Sequence, residues 1–164
     1  MKIRTATEQD LEAINNIYNK VIPYEISTAD MVPYTMEERL NWYNAYDRSE
    51  YPVFVAEVNN EVGGYLGLSP YRPRRQAMRY TAEVSYFIDE KYRRKGIGSS
   101  LMEHAISKAP EYNFKTFIAI LLAHNEASIR LLEKFGFKEW GRLPRVADFN
   151  GKERDQLYYG LRVK

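Results

Sequence analysis

The stretch that most constrains the fold of this chain is residues 81–109, which read in order as a strand, a basic glycine-containing loop and a helix. Glycine allows a ligand to approach the backbone closely. The first N–H groups of a helix lack partners within the helix and favour an anion. The segment therefore predicts a phosphate-binding loop, with a solvated basic turn as the alternative. Its loop and first helical residues are Arg93, Arg94, Lys95, Gly96, Ile97, Gly98 and Ser99.

The strand before this loop carries an acidic residue in an apolar setting. Apolar residues alternate from Ala82 to Ile88, which is the period-2 pattern of a strand, and Glu83 lies among them. A carboxylate in such a setting is often paired or poised for proton transfer, because an unpaired buried charge is costly. The alternative is an edge-strand glutamate that faces water.

The spacing between the carboxylate and the loop indicates the size of the ligand. The segment from Glu83 to Ile88 spans about 17 Å at the usual rise of a strand. This length is comparable with the reach of an extended pantetheine arm. A phosphate-binding loop at one end of the strand and a carboxylate at the other would suit a coenzyme A thioester.

Composition and charge exclude several classes of function. The length of 164 residues suits one domain, 1–164, and a formal charge of +2 is too small to indicate nucleic acid as a partner. The chain has no cysteine, and His104 and His124 are too scattered for a histidine cluster, so no metal site is predicted. No apolar run approaches the roughly 20 residues of a membrane span. Since the N-terminus also lacks a signal-peptide core, we expect a cytoplasmic protein without a membrane partner.

The periodicity of the whole chain predicts the order β-α-α-β-β-β-α-β-α-β-β. This is an α/β (α+β) fold with a mixed central sheet of about seven strands and about four helices on its two faces. Predicted strands cover residues 2–5, 53–58, 62–69, 82–88, 114–122, 137–146 in two pieces (137–140 and 143–146), and 156–163.

Local signals mark several of the boundaries. Thr7 with Asp10, and Thr35 with Glu38, have the spacing of helix capping boxes. The second box predicts a helix over 36–46. Asn125 is a candidate helix cap. Asn150-Gly151 predicts a hairpin turn, and Gly63, Gly64 and Gly67 suggest a bend or bulge in their strand.

Several motifs together resemble the GNAT acetyltransferase superfamily, and within it the phosphinothricin and methionine-sulfoximine N-acetyltransferase group. The resemblance covers essentially the whole chain. It is carried by Arg93-x-x-Gly96-x-Gly98, Glu38-Arg39-Leu40-x-Trp42, Tyr51-Pro52-x-x-Val55-Ala56-Glu57, Thr81-Ala82-Glu83-x-Ser85, Asn125-x-x-Ser128, Phe135-Gly136-Phe137 and Gly151-x-x-x-Asp155.

The resemblance implies acetyl-CoA as co-substrate and a direct acetyl transfer to an amine, with Glu83 as the general base. It implies that the strand at Tyr86, Phe87 and Ile88 offers backbone hydrogen bonds to pantetheine, with an N–H at Phe87 or Ile88 as oxyanion donor. Asn125 and Ser128 match coenzyme contacts, although an N-cap and a surface serine would look the same.

The resemblance also implies a small substrate with an amino group and an anionic end, and a homodimer. Arg72 and Arg74 are the predicted anion partners, with a solvated basic turn as the alternative. Tyr24, Tyr34 and Tyr80 are weaker candidates for pocket walls. Leu132 stands where some relatives carry histidine, which leaves the general acid unassigned.

Two other functions remain open at this stage. One is acetylation of a protein or peptide amine, which would need an open groove. The other is a module that senses acyl-CoA without turning it over.

Overall fold

The computed structural model describes residues 1–163, which form one seven-stranded sheet in the order β1-β2-β3-β4-β5-β7-β6. Among these described residues only β4 and β5 pair in parallel, and the other strand pairs are antiparallel, so the sheet is mixed. The strands are β1 (Lys2–Thr5), β2 (Val53–Val58), β3 (Glu61–Pro70), β4 (Thr81–Ile88), β5 (Thr116–Leu122), β6 (Lys138–Phe149) and β7 (Lys152–Arg162).

Four α-helices cover the two faces of this sheet, and the predicted order of elements is confirmed. They are α1 (Leu11–Val21), α2 (Met36–Asn44), α3 (Ile97–Lys108) and α4 (Glu126–Lys134). One apolar cluster joins α1 and α2 to Val53, Val55 and Tyr65. A larger cluster joins α3 and α4 to the other face. None of the helices described within residues 1–163 is long and apolar enough to cross a membrane.

The predicted helix starts are confirmed by their hydrogen bonds. The Thr7–Asp10 capping box precedes α1. At the start of α2 the Glu38 N–H donates to Thr35 Oγ1 at 3.1 Å, and the Thr35 N–H donates to the Glu38 carboxylate at 3.0 Å. Asn125 caps α4 by accepting the Ser128 N–H at 3.2 Å. The second helix ends at Asn44, two residues before the predicted end.

The C-terminal hairpin differs from its prediction. β6 is one strand with two register shifts, between Glu139 and Gly141 and between Leu143 and Ala147, where two separate pieces were predicted. β7 begins at Lys152, immediately after the predicted Asn150-Gly151 turn, and four residues before the predicted start. Residues 152–155 pair with β6 but lie beyond the end of β5, so they carry no buried face and no apolar pattern.

The glycines of β3 allow a bulge and a close helix. Ala56 pairs with Gly64 and Glu57 with Val62, so Gly63 is the extra residue of a β-bulge, as the sequence suggested. A Cβ on Gly64 would lie 2.9 Å from atoms of both Ile88 and Ile97. Gly64 therefore lets α3 pack closely on the sheet.

Replacing Gly64 by alanine should lower the free energy of unfolding by about 1–3 kcal/mol, because the added methyl group overpacks this contact. The matched control is Gly67→Ala, whose Cβ would meet its nearest neighbour at an ordinary 3.5 Å. Both variants gain the same entropic benefit of replacing glycine in the unfolded chain. Urea unfolding measures the difference, and equal midpoints for the two variants would contradict it.

The parallel pair β4–β5 separates partway along its length. Its ladder has three rungs, which end at Glu83 opposite Ile118, although β4 continues to Ile88 and β5 to Leu122. Beyond that rung the two strands diverge, and each keeps only its outer neighbour. The sheet therefore contains a wedge-shaped opening between the ends of its two central strands.

Candidate active site

The wedge between β4 and β5 is lined by backbone groups that the ladder leaves free. At the loop end of the β3–β4 ladder the Asp89 N–H donates to the Gly63 carbonyl at 2.9 Å. Bonded residues alternate along an antiparallel ladder, so odd-numbered β4 residues bond to β3 and even-numbered ones turn toward β5. The β4 residues whose N–H and C=O face the wedge are Val84, Tyr86 and Ile88.

This register corrects one predicted role. Phe87 is odd-numbered, so its N–H is directed at β3 and cannot also serve as an oxyanion donor. Ile88 keeps that candidacy, and Tyr86 joins it because its N–H faces the same opening. The sequence alone could not decide between the two residues, because the face of each N–H depends on the strand register.

Two cavities meet at the wedge. The first, of about 250 Å³, lies on the α1–α2 side and is lined by Glu83. The second, of about 690 Å³, includes Arg93 and Arg94 on its wall. Residues on the wall of both cavities are Ser27, Ser85, Phe87, Ile120 and Leu121. A ligand lying in the wedge could therefore reach from the basic loop to Glu83.

Glu83 projects into the smaller cavity as a carboxylate without a partner. No hydrogen-bond donor and no cation contacts it among residues 1–163. Burial of the side chain raises the pKa of the Glu83 carboxyl above its ordinary value, because burial disfavours the charged form. A partly buried carboxylate whose lone pairs are free and whose pKa is raised is suited to accept a proton.

The basic loop has the shape expected for an anion site. Arg94 and Gly96 both have positive φ, at 61° and 79°, and left-handed residues are typical of turns whose N–H groups make anion-binding concavities. Gly96 caps α3 without a side-chain hydrogen bond, so the first N–H groups of that helix stay free. Arg93, Arg94 and Lys95 are exposed and form no ion pair within the described chain.

The start of α3 packs so closely on Leu131 that it leaves little room for a side chain at position 98. A Cβ on Gly98 would lie 3.2 Å from Leu131 and 4.0 Å from Ile88, and both of those residues line the larger cavity. Ser99 accepts a hydrogen bond from Lys134 Nζ at 2.9 Å, which adds a cation that sequence analysis did not identify. Gly96, Ile97, Gly98, Ser99 and Lys95 lie at the helix start rather than on the cavity wall itself.

Helix α4 supplies the opposite wall of the larger cavity. Asn125 and Ser128 both line it. The Tyr86 hydroxyl forms a short hydrogen bond with Ser128 Oγ, and burial raises the pKa of Tyr86 to about 12. Leu132 is 0 % exposed and packs in the core, whereas its neighbour Leu131 lines the cavity. A side chain at 132 is therefore directed away from the wedge.

The predicted substrate residues are only partly brought together. Tyr34 lines the smaller cavity with Glu83. Arg72 and Arg74 are exposed in the 71–80 turn and line neither cavity, and Tyr80 is covered by Arg79, whose guanidinium lies 4.2 Å from its ring centroid. Substrate binding by these three residues stays a prediction that the single chain does not support.

The arginines that do line the smaller cavity are Arg39 and Arg48, both on or after α2. Neither was predicted to bind substrate, and Arg39 entered only through the Glu38-Arg39-Leu40-x-Trp42 motif of the family resemblance. The signal available in the sequence was the spacing of Arg39 and Trp42, which places a cation and an aromatic ring on one side of the helix.

Known proteins resemble this chain in sequence and in structure. The family model described as "Acetyltransferase (GNAT) family" matches residues 11–137. The chain is 40% identical over 161 residues, 98% of each chain, to the Bacillus subtilis protein YwnH, which is provisionally named a phosphinothricin acetyltransferase. It is 31% identical over 163 residues, 99% of this chain and 95% of the other, to the L-methionine sulfoximine/L-methionine sulfone acetyltransferase of Salmonella typhimurium.

A solved structure with acetyl-CoA bound matches the whole fold. It is the crystal structure of a phosphinothricin acetyltransferase from Sinorhizobium meliloti in complex with acetyl-CoA. The TM-score is 0.92 at 25% sequence identity, over 98% of this chain and 87% of the other.

Proposed function

Because this chain belongs to the acetyltransferase (GNAT) family, we propose that it is a single acetyltransferase domain (1–164) that transfers the acetyl group of acetyl-CoA to a small amine. The acceptor class is an amino-acid-like primary amine of the phosphinothricin or methionine sulfoximine type, as in the relatives' names. The observation that carries the proposal is the wedge. It joins a cavity with a partner-free carboxylate to one with a basic glycine loop.

The residues of the wedge fit acetyl-CoA from one end to the other. Free N–H groups at the start of α3 and the unpaired cations of Arg93, Arg94 and Lys95 would hold the diphosphate. The backbone of Tyr86 and Ile88 would bond the pantetheine arm as a strand partner does. Asn125 and Ser128 would contact the arm from α4. The bound coenzyme supplies an acetyl group activated as a thioester.

Glu83 would remove the proton of the incoming amine. An ammonium group has no lone pair, so it must lose a proton before it can attack a carbonyl carbon. Because Glu83 has no competing partner among residues 1–163, its carboxylate is free to take that proton directly or through a water molecule. The raised pKa of its carboxyl favours proton uptake.

An N–H group of β4 would stabilise the negative charge that develops on the thioester oxygen. Of the two residues that the register leaves, Tyr86 is the better candidate, because Ile88 lies about 17 Å along the strand from Glu83, at the end where the diphosphate would bind. A fixed backbone donor is effective here because it needs no reorganisation during the reaction. The departing thiolate would leave toward the larger cavity.

An amine panel with a free-thiol readout tests this function. With acetyl-CoA present, one free thiol should be released for each amine acetylated. At least one of L-phosphinothricin, L-methionine sulfoximine and L-methionine sulfone should give this result. A lysine-bearing peptide should be acetylated far more slowly, because the cavity beside Glu83 has only about 250 Å³. Tight acetyl-CoA binding without thiol release on any amine would instead indicate a sensor.

A homodimer is part of the same proposal. β6 is an edge strand, and its large apolar side chains Trp140 and Val146 are 52% and 55% exposed, with Leu143 at 36%. Exposed apolar side chains on an edge strand favour pairing with a second copy. Sedimentation of the full chain should give a dimer, and a Trp140→Ser, Val146→Ser variant should sediment as a monomer. A monomeric wild type would contradict this part.

A further inference from the structure

Arg39 is an arginine buried within an aromatic cluster. Arg39 is 2% exposed to solvent. The guanidinium carbon lies 4.8 Å from the ring centroid of Tyr18, 4.3 Å from that of Tyr34 and 4.7 Å from that of Trp42. Three ring faces attract the cation, but they accept no conventional hydrogen bond from its N–H groups.

The hydrogen bonds of Arg39 are incomplete on one side. Its Nε donates to Asn15 Oδ1 at 3.1 Å, and Asn15 is itself held by the Tyr34 carbonyl at 3.0 Å. Nη2 is buried without any acceptor, and neither Nη1 nor Nη2 meets a carboxylate among residues 1–163. Asn15 thus holds the Nε edge, whereas Nη1 and Nη2 have no hydrogen-bond acceptor among residues 1–163. Two such N–H groups match the two oxygens of a carboxylate or phosphinate.

The position of these N–H groups relates them to the acceptor. Arg39 and Glu83 line the same cavity of about 250 Å³. Tyr18, which contacts Arg39, also packs on Phe87 at 4.9 Å between ring centroids. Phe87 lies four residues after Glu83 on β4, or about 13 Å along the strand. The wall of this one cavity therefore carries both the cation of Arg39 and the carboxylate of Glu83.

Of the two arginines that line the cavity, Arg39 alone lacks acceptors for part of its guanidinium among the described residues. The other arginine, Arg48, donates to four backbone carbonyls, at 2.7 Å (Tyr43 and Trp42) and 3.2 Å (Tyr51 and Leu68). Its hydrogen-bonding capacity is thus used to join the end of α2 to the sheet. A buried charged donor left without an acceptor costs stability, so Nη1 and Nη2 of Arg39 point to a partner that arrives with the ligand.

We propose that Arg39 binds an anionic group of the acyl acceptor and selects acceptors that carry one. This rests on the proposed transferase function and adds the residue that reads the acceptor's charge. An arginine whose role was only to hold α2 against α1 would not need two N–H groups without acceptors. In that case its replacement would lower activity on charged and neutral acceptors alike.

The test compares acceptors that differ in one charge. The pairs are L-methionine sulfone with its α-carboxamide, and L-glutamate with L-glutamine, each measured as kcat/KM for thiol release at saturating acetyl-CoA. We expect the wild type to prefer the acid in at least one pair by about tenfold or more, because an unpaired buried group penalises the neutral analogue. Arg39→Met should bring that ratio close to one, mainly through a raised KM for the acid.

Two further variants fix the interpretation. Arg75→Gln removes an exposed arginine that lines neither cavity and should keep the wild-type ratio. Arg39→Lys keeps the positive charge but loses the two paired N–H groups, so it should show an intermediate acid-to-amide ratio. If Arg39→Met does not fold, the ratio of Arg39→Lys tests the proposal. The inference is overturned if the wild-type ratio is near one or if it survives in the Arg39 variants. Failure to acetylate any acceptor, with no acetyl-CoA bound, would instead remove the transferase function itself.

Discussion

Replacing Glu83 by glutamine is expected to lower kcat by about 10²–10⁴-fold, the usual contribution of a positioned general base. The dissociation constant for acetyl-CoA should stay within about twofold of wild type, since the carboxylate lies in the smaller cavity. Glu12→Gln is the matched control, because Glu12 is exposed on α1. Stopped-flow thiol release and calorimetry measure the two quantities. A Glu83→Gln variant with wild-type kcat would remove Glu83 from the mechanism.

The pH dependence of the same variant gives a second readout. Burial raises the pKa of the Glu83 carboxyl, so wild-type kcat/KM should fall as the pH decreases through a value above that of an ordinary glutamate. In Glu83→Gln this acidic limb should be missing, and a limb that persisted there would belong to another group.

Replacing Glu83 by glutamine should lower activity but raise the stability of the fold at neutral pH. A carboxyl whose pKa is raised on folding binds more protons in the native than in the unfolded state. Wild-type stability therefore falls as the pH rises from the ordinary glutamate value through the raised one. Glutamine carries no charge to desolvate, so Glu83→Gln should melt at a higher temperature than wild type at neutral pH. Below both pKa values this advantage should disappear, which calorimetric scans across pH can measure.

Replacing Gly98 by aspartate is expected to weaken acetyl-CoA binding by about 100-fold, equivalent to about 2.7 kcal/mol. The new side chain puts a negative charge at the free N–H groups of α3, where the diphosphate would lie, and its Cβ would meet Leu131 at 3.2 Å. Calorimetry with acetyl-CoA measures the loss.

A charge at the other end of the same helix provides the control. Ser107→Asp adds the same carboxylate near the exposed C-terminal turn of α3 and should leave the affinity near wild type. Acetyl-pantetheine lacks the diphosphate, so Gly98→Asp should change its affinity much less than that of acetyl-CoA. Equal losses for both ligands would mean that the aspartate disturbs the fold rather than the anion site.

Much of this fold could be predicted because local signals and periodicity agree along the chain. The capping box at Thr35 and Glu38, the apolar run of β5 and the Asn150-Gly151 turn each depend on neighbouring residues only. The β6 strand was divided into two pieces because its register shifts interrupt the alternation on which the prediction rests. Such shifts depend on the partner strand, which a single segment does not contain.

The site was predictable only where one segment carries it. Glu83, Arg93 and Arg94 lie on one strand and its following loop, and the structure places all three on adjoining cavities. Arg39 was missed because its environment comes from α1, the 28–34 loop and β3, which meet only in the folded chain. Arg72 and Arg74 were chosen for nearness to Glu83 in sequence, yet both are exposed and line neither cavity.

The early end of the β4–β5 ladder has a consequence for the lifetime of the protein. Two central strands expose backbone groups to each other across a gap, and a pantetheine arm lying there would act as a missing strand. Binding only the folded state, at a concentration 100 times its dissociation constant, adds about 2.7 kcal/mol of stability. Resistance to proteolysis should therefore follow the acyl-thioester supply of the cell, so that starvation for acetyl-CoA shortens the survival of the enzyme as well as slowing its turnover.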